Sequence, residues 1–327
     1  MPDLRERVVR RTSTLELERR GASREVVPVS VLEASDGPTV VVTANVHGDE
    51  ATGVAAVLHL QQRLEELLLV GRVVLYPSVN PHGLRLQQRP VPADGVDLNR
   101  AFPGDRGARG AEGVAGRLWA DLERRAPDLV IDLHADSVVA VPYTILDRPV
   151  SLEGEARRHM ERRLDDLAHA AALLVLQEYP DALYLRFGLD KSLAGAVVNH
   201  LKVPALTLEV GPRRAVDPAA VEVTVGAVLR VLQRVGMVKE APAARRPPQA
   251  RLRRSSAPRV RRPGVFVPLV RPGNAYRRGD LLGVVRGLDG HARDEVRAES
   301  DGVVVSWGEG AWLDVGAVPG TLGEQVS

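Results

Sequence analysis

The sequence contains no cysteine and few aromatic residues, which make up only 3% of its 327 residues. The lack of cysteine excludes disulfide bonds and thiolate metal ligands. The scarcity of aromatics predicts an aliphatic core and argues against nucleic-acid binding by extensive base stacking. No segment approaches the roughly 18 uninterrupted apolar residues of a membrane helix, and the first 21 residues lack the apolar stretch of a signal peptide. We therefore expect a cytoplasmic protein with no membrane partner.

The length and the charge distribution predict two domains joined by a linker. A chain of 327 residues is longer than one average domain. The net charge is only +2, but residues 239–262 hold nine Lys or Arg against a single Glu. This Arg- and Pro-rich segment shows no periodicity and is interpreted as an exposed linker. We expect a large domain over 1–238, a basic linker over 239–263 and a small β domain over 264–327.

Strand and helix patterns alternate through the large domain. Apolar runs such as Thr39–Ala44 predict buried strands, and amphipathic stretches such as Ala51–Leu69 predict helices. Such alternation is typical of an α/β fold, in which a doubly wound, mixed but largely parallel sheet is flanked by helices. After residue 264, short strand-like runs separated by glycines predict a small all-β domain.

The stretch TANVHGDEATG, residues 43–53, follows a predicted strand and contains His47 and Glu50. This spacing lets an imidazole nitrogen and a carboxylate oxygen bind one divalent ion at a strand-to-helix turn, with Gly48 giving the backbone freedom to turn. Both groups are good zinc ligands, and a catalytic zinc site needs three protein ligands and an open position. An H-x-x-E pair also occurs by chance, but the carboxyl end of a strand is where α/β sheets place their sites.

Two further strand ends carry candidate residues. His134 follows the predicted strand Pro127–Leu133 and is the candidate third ligand, although a strand-end histidine can also be purely structural. Asp132 projects to the same side of that strand and would orient the imidazole. Glu209 lies at the end of the apolar strand Val203–Val210, where burying a carboxylate without a partner is costly, and this cost suggests a role.

The polar, Pro-rich stretch Gly83–Arg109 predicts a long loop with a function. It contains Asn99 and Arg100 next to each other, and Arg89 lies upstream. An Arg guanidinium beside an Asn amide suits recognition of a carboxylate, although a solvated loop arginine is the simpler alternative.

The motifs NVHGDEATG, VDLNRAFPG, DLHAD and PALTLEVG occur in this order. Together they resemble the motifs of the succinylglutamate desuccinylase and aspartoacylase family, a branch of the zinc carboxypeptidase-like hydrolases. The resemblance covers roughly residues 38–235 and implies a zinc hydrolase domain over 1–238. It also implies hydrolysis of the amide bond of a small N-acyl amino acid. The Gly-rich tail resembles the compact β domain that those enzymes carry.

The resemblance implies a mechanism with one zinc ion. Its ligands would be His47, Glu50 and His134. Glu209 would be the general base, which takes a proton from the zinc-activated water and later delivers it to the leaving amine. The products would be a carboxylate and a free amino acid or amine.

The resemblance also implies a set of substrate-binding residues. Asn99 and Arg100 would hold the carboxylate of the substrate, and Arg89 would stabilise the oxyanion of the tetrahedral intermediate. Aspartoacylases carry a Tyr and an Arg on the helix before the base, whereas Gly195 and Asn199 stand here at about those positions. Tyr184 and Arg186 lie upstream and are candidates to replace that pair.

Two alternatives fit the same sequence. A zinc carboxypeptidase acting on short peptides would use the same zinc site and the same Asn-Arg anchor, but a β domain over the cleft mouth would exclude long peptides. A non-catalytic binding module would use the basic linker, and the presence of the full set of chemical residues argues against it.

Overall fold

The computed structural model describes residues 8–20, 23–244 and 251–325. It confirms the predicted α/β architecture: a large mixed sheet flanked by helices, and a separate small antiparallel sheet in the C-terminal part. The described strands are β1 (Val9–Arg20), β2 (Ser23–Ser35), β3 (Thr39–Ala44), β4 (Gly71–Tyr76), β5 (Leu129–His134), β6 (Tyr143–Leu146), β7 (Leu174–Gln177), β8 (Ala205–Glu209), β9 (Arg251–Ser255), β10 (Gly264–Pro268), β11 (Ala275–Tyr276), β12 (Leu281–Arg286), β13 (Ala292–Arg297), β14 (Gly302–Trp307), β15 (Trp312–Leu313) and β16 (Gly320–Gln325).

The helices pack on both faces of the large sheet. The α-helices are α1 (Thr52–Leu67), α2 (Pro81–Leu86), α3 (Gly110–Arg125), α4 (Gly154–Ala171), α5 (Asp181–Arg186), α6 (Leu193–Ala196) and α7 (Pro218–Arg234). A 3-10 turn spans Leu98–Arg100, and a π-helical turn, Val197–Leu201, continues α6. Within the described ranges, no helix combines the length and the apolar character needed to cross a membrane.

The order of the large sheet is β1-β2-β4-β3-β5-β8-β6-β7-β9-β16-β14-β11, and the small sheet has the order β13-β12-β10-β15. The central strands β4, β3, β5 and β8 are parallel neighbours. Strands β3 and β5 are buried along their whole length, as expected for apolar strands covered on both faces. The main core is almost entirely Val, Leu and Ala, which agrees with the scarcity of aromatic residues.

The register of these parallel strands brings the candidate residues to one edge. Ala44 at the end of β3 pairs with Leu133, and His134 at the end of β5 pairs with Glu209 at the end of β8. The loop that follows β3 carries His47 and Glu50 toward the same edge. Three separate segments therefore meet at the carboxyl ends of β3, β5 and β8, where open α/β sheets place their ligands.

The segment 239–263 differs from the expected exposed linker. Its residues 251–255 form β9, which is parallel to β7 on one side and antiparallel to β16 on the other. Leu252 is fully buried there, because it packs in a small apolar cluster that joins β6 and β7 to β14. Residues 245–250 of the segment lie outside the described residues. The domain boundaries at 238 and 263 stay a prediction.

Some shorter elements were not expected from the sequence. Strands β6 and β7 have only four residues each, and α5 has only six. These elements are too short to show a hydrophobic period, so their conformation depends on pairing with distant segments.

The position of Leu252 generates a stability prediction. Leu252→Ala removes buried methyl groups from the cluster between the two parts of the molecule, and we expect it to lower the free energy of unfolding by about 2–5 kcal/mol. Leu288→Ala is the matched control, since Leu288 is 86% exposed. Denaturant unfolding of the full chain measures both variants. Equal stability of the two variants would show that β9 is not packed as described.

Candidate metal centre and substrate cleft

Three side chains from two segments converge at the sheet edge. His47, Glu50 and His134 are all buried, and one ligand atom from each lies within 4.8 Å of the others. Oε1 of Glu50 lies 2.8 Å from Nδ1 of His47, and Oε2 of Glu50 lies 2.9 Å from Nδ1 of His134. The two Nδ1 atoms are 3.1 Å apart. Donor atoms around one tetrahedral metal ion lie roughly 3.3 Å apart, so this group has the spacing of a ligand set.

Each imidazole has an aspartate at its other nitrogen. Nε2 of His134 lies 2.8 Å from Oδ2 of Asp132, two residues earlier on β5. Nε2 of His47 lies 3.2 Å from Oδ1 of Asp97, a distance typical of ion pairs although the angle is poor for a hydrogen bond. Carboxylates in these positions direct Nδ1 of each ring toward Glu50 and the other imidazole.

Buried hydrogen bonds hold the two ligand-bearing segments in place. The Thr43 hydroxyl donates to Asp132 across 2.7 Å, so β3 supports the aspartate that orients His134. Asn45 adopts a left-handed conformation with φ of 63°, and its amide donates to the carbonyl of His47 across 2.8 Å. The same amide donates to the carbonyl of Glu50 across 3.1 Å, which ties the loop into one turn.

Gly48 serves close packing and not the turn itself. Its φ is not in the left-handed region, which Asn45 occupies instead. A Cβ added at Gly48 would lie 2.3 Å from the carbonyl carbon of Gly83, so only glycine lets the two backbones approach this closely. The turn therefore depends on the Asn45 side chain, and the expectation of turn freedom at Gly48 was wrong.

The carboxylates and the imidazoles of this group stabilise one another's charges. Burial opposes ionisation of Glu50, but the neighbouring His47 and His134 hold the pKa of its carboxyl well below the usual range. Burial likewise opposes a charge on His134, but Asp132 and Glu50 hold the pKa of the imidazole well above its usual value. A buried site with two imidazoles and several carboxylates has the chemistry of a cation site, so the group could hold a metal ion.

Glu209 faces this group from the neighbouring strand. It pairs in register with His134 on one side and with Tyr143 on the other. Burial raises the pKa of the Glu209 carboxyl to about 7; the charge of His134 opposes this rise, and the charge of Glu50 adds to it. A carboxylate with a raised pKa beside a ligand group is typical of an acid-base residue.

The long loop places Arg89 beside the ligand group. Its Nη1 lies 3.5 Å from Oε1 of Glu50, and its Nη2 lies 3.3 Å from Oδ2 of Asp97. The side chain is 39% exposed, so part of it is in contact with solvent. Burial would raise the pKa of Asp97, but the contact with His47 and the charge of Arg89 hold it well below its usual range.

Asn99 and Arg100 are fixed by backbone groups of the 187–193 region. Oδ1 of Asn99 accepts a hydrogen bond from the amide of Leu193 at 2.8 Å, which turns the amide donors of Asn99 the other way. Nε of Arg100 donates to the carbonyl of Phe187 at 3.1 Å. Burial lowers the pKa of Arg100, and the charge of Arg89 adds to this effect. The pair thus stands at the cleft in a preset orientation.

Tyr184 is placed differently from the expectation. It is fully buried, and its hydroxyl donates to Asp147 across 2.8 Å. A Cβ added at Gly195 would lie 2.6 Å from the Tyr184 hydroxyl oxygen, so Tyr184 fills the space beside that glycine. A hydroxyl that is enclosed and bonded in this way is not presented to a ligand, which argues against direct substrate contact by Tyr184.

Two charged residues near the site, Asp97 and Arg213, were not identified from the sequence. Asp97 belongs to the VDLNR motif, where only Asn99 and Arg100 drew attention. Arg213 follows the strand-end glutamate, and Nη2 of Arg213 lies 3.9 Å from Oδ1 of Asp136. Both residues are charged and lie within a few positions of a predicted site residue. This proximity is the signal by which the sequence could have indicated them.

The C-terminal part borders the cleft through β14. The loop after His134 pairs with this strand: Val141 donates to the carbonyl of Val305 at 3.0 Å, and Trp307 donates to the carbonyl of Val139 at 3.0 Å. Glu309, which follows β14, contributes to the electrostatic environment of Arg213. The small β domain is therefore attached directly to the rim of the site.

Comparison with known proteins points to one family. The family model of the succinylglutamate desuccinylase/aspartoacylase catalytic domain matches residues 36–235. The chain is also similar to the N-alpha-acetyl-L-2,4-diaminobutyric acid deacetylase of Halomonas elongata. The two are 27% identical over 311 residues, which cover 92% of this chain and 86% of the deacetylase.

Solved structures share the whole fold. A succinylglutamate desuccinylase/aspartoacylase from Rhodobacter sphaeroides superposes with a TM-score of 0.82 at 24% identity, covering 97% of this chain and 96% of that one. The product-bound ectoine utilization protein EutE (DoeB) from Ruegeria pomeroyi superposes with a TM-score of 0.79 at 21% identity, covering 99% and 98%. The likeness extends through the C-terminal β domain, beyond the residues that the family model matches.

The ligand group generates a metal-binding prediction. The purified protein should bind one divalent ion per chain, and His134→Ala should lose it because two of three ligands cannot hold the ion tightly. His291→Ala, at an exposed histidine of the C-terminal part, is the control and should retain the ion. Elemental analysis after dialysis measures both. A full equivalent of metal on His134→Ala would contradict the assignment.

Proposed function

The chain belongs to the succinylglutamate desuccinylase/aspartoacylase family, and on that premise we propose that it is a zinc-dependent hydrolase of small N-acyl amino acids. The observation that carries the proposal is the convergence of His47, Glu50 and His134, with Glu209 opposite His134 in the sheet. The reaction is hydrolysis of the amide bond, which releases a carboxylate and a free amino acid.

His47, Glu50 and His134 would hold the zinc ion. When bound, zinc lowers the pKa of a coordinated water toward neutrality and polarises the carbonyl of the scissile amide. The choice of zinc rests on the two imidazoles and one carboxylate in the group, which form a common catalytic zinc ligand set. Asp132 and Asp97 keep the Nδ1 atoms of the two rings facing the ion.

Glu209 acts as the general base. Its carboxylate takes the proton of the attacking water and then gives it to the nitrogen of the leaving amine, whose bond to the carbonyl carbon breaks. A pKa near the working pH suits both transfers, and burial of Glu209 raises its pKa in that direction. Positive charge in the ligand group lowers this pKa again, which keeps the carboxylate ionised for the first transfer.

Arg89 and the Asn99–Arg100 pair bind different parts of the substrate. Arg89 lies beside Glu50 and stabilises the negative charge that develops on the carbonyl oxygen. Asn99 and Arg100 hold the carboxylate of the amino acid, and their contacts with the backbone near Leu193 and Phe187 keep them in place before substrate arrives.

The first substrate to test is Nα-acetyl-L-2,4-diaminobutyric acid, because the Halomonas elongata relative is a deacetylase of that compound. Strand β14 is attached by backbone hydrogen bonds to the loop after His134, and we infer from this attachment a site for a small substrate. This feature favours a deacylase over a carboxypeptidase that acts on longer peptides.

The binding-module alternative is less well supported. In the described part of segment 239–263, Arg253, Arg254 and Arg261 pair with Glu324, Glu178 and Asp294 of the same chain. These guanidinium groups are thus engaged within the protein. Specific nucleic-acid binding would need a free basic surface.

A substrate panel tests the proposed function. Zinc-loaded protein should release primary amine from N-acetyl or N-succinyl amino acids, and Glu209→Gln should abolish turnover while keeping the metal, because an amide cannot take the proton. Dipeptides and longer peptides are included, and elemental analysis of Glu209→Gln is the control. Release from peptides alone would support the carboxypeptidase, and full turnover by Glu209→Gln would remove it from the base role.

The anchor residues generate a kinetic prediction. Arg100→Ala should raise KM and lower kcat/KM by about 10- to 100-fold for substrates with a free α-carboxylate, because a charge-assisted contact is lost. The same substrate as its α-carboxamide should lose much less. Steady-state kinetics on the two substrates measure the difference. An equal loss on both would show that Arg100 does not hold the carboxylate.

A further inference from the structure

Arg254 belongs to a strand outside the residues that the family model matches. It lies on β9, which is held in place by pairing with β7 and β16. Its Nη1 lies 2.8 Å from Oε1 of Glu178, a carboxylate with only 4% of its side chain exposed. The Arg254 side chain is 29% exposed, so it is not completely enclosed.

A chain of direct contacts joins Arg254 to Arg100. The guanidinium carbon of Arg254 lies 5.2 Å from the centre of the Tyr179 ring, and the Tyr179 and Phe187 rings are 5.2 Å apart. The carbonyl of Phe187 accepts the hydrogen bond from Nε of Arg100 at 3.1 Å. Tyr179 and Phe187 therefore connect the two arginines: Arg254 contacts the Tyr179 ring, and Arg100 contacts the backbone of Phe187.

The charge of Arg254 acts on Arg100 and on a neighbour of Glu209. After burial, the charge of Arg254 is among the causes that lower the pKa of Arg100. The same charge opposes the rise in the pKa of Tyr143, which pairs in register with Glu209. Arg254 is thus close enough to influence both Arg100 and Tyr143.

Two guanidinium groups that repel each other are suited to share an anion. Glu178 neutralises one edge of Arg254 from the buried side, and the planar fork of an arginine leaves further donors for a second carboxylate. The substrate of the proposed reaction supplies such a carboxylate.

We propose that Arg254 is a substrate-binding residue that holds the α-carboxylate of the N-acyl amino acid together with Arg100. Glu178 fixes the orientation of Arg254, and β9 brings the residue to the site. This assignment rests on the proposed function. The competing role for Arg254 is purely structural, as the charge partner that lets Glu178 be buried.

Charge-balanced variants separate the two roles. Arg254→Gln leaves Glu178 without its partner, whereas the double variant Glu178→Gln/Arg254→Gln removes both charges and restores the balance. We expect the single variant to lose stability and the double variant to recover it. KM for the α-carboxylate substrate should rise about 10-fold or more in both, with a smaller change in kcat and little change for the α-carboxamide. Recovery of KM together with stability, or an equal effect on the carboxamide, would overturn the proposal.

A binding measurement keeps this inference distinct from the proposed activity. Calorimetric titration of the Glu209→Gln protein with N-acetyl-L-alanine and with N-acetyl-L-alaninamide needs no turnover. Preference for the carboxylate that is lost in the double variant supports Arg254 even if every acylated amino acid in the panel fails as a substrate. Preference that survives in the double variant, or absence of binding to the protein with Arg254 intact, overturns the assignment.

Discussion

The convergence of two imidazoles and one carboxylate in a buried space is the constraint on which the rest of this structure depends. Burying Glu50 is costly unless positive charge surrounds it, and His47 and His134 supply the nearest partners. Those rings need fixed orientations, which the aspartates behind them provide. The parallel pairing of β3, β5 and β8 brings the segments together, because its register sets His134 against Glu209.

The cleft around this group is assembled from segments far apart in the chain. Arg89 and Arg100 come from the long loop, the rim after His134 is tied to β14, and Arg254 comes from β9. The small β domain is tied to the loop after His134 by backbone hydrogen bonds from β14.

The sequence predicted the parts of this arrangement that depend on local pattern. Long apolar strands such as β3, and motifs such as His47 and Glu50 at a strand end, can be read within about ten residues. Residues whose environment depends on pairing with distant segments of the chain could not be predicted in this way. Leu252 stands in an Arg-rich segment that resembles a linker, and its burial requires contact with Leu176 and Val305. Tyr184 is enclosed, and its hydroxyl donates a hydrogen bond to Asp147, which directly follows the four-residue strand β6.

One measurement tests the central claim most directly: anomalous diffraction at the zinc edge from crystals of the zinc-loaded protein. The account predicts one ion per chain, about 2.0–2.2 Å from Nδ1 of His47, from a carboxylate oxygen of Glu50 and from Nδ1 of His134. An ion held elsewhere, or no ion at these atoms in protein that cleaves N-acyl amino acids, would contradict it.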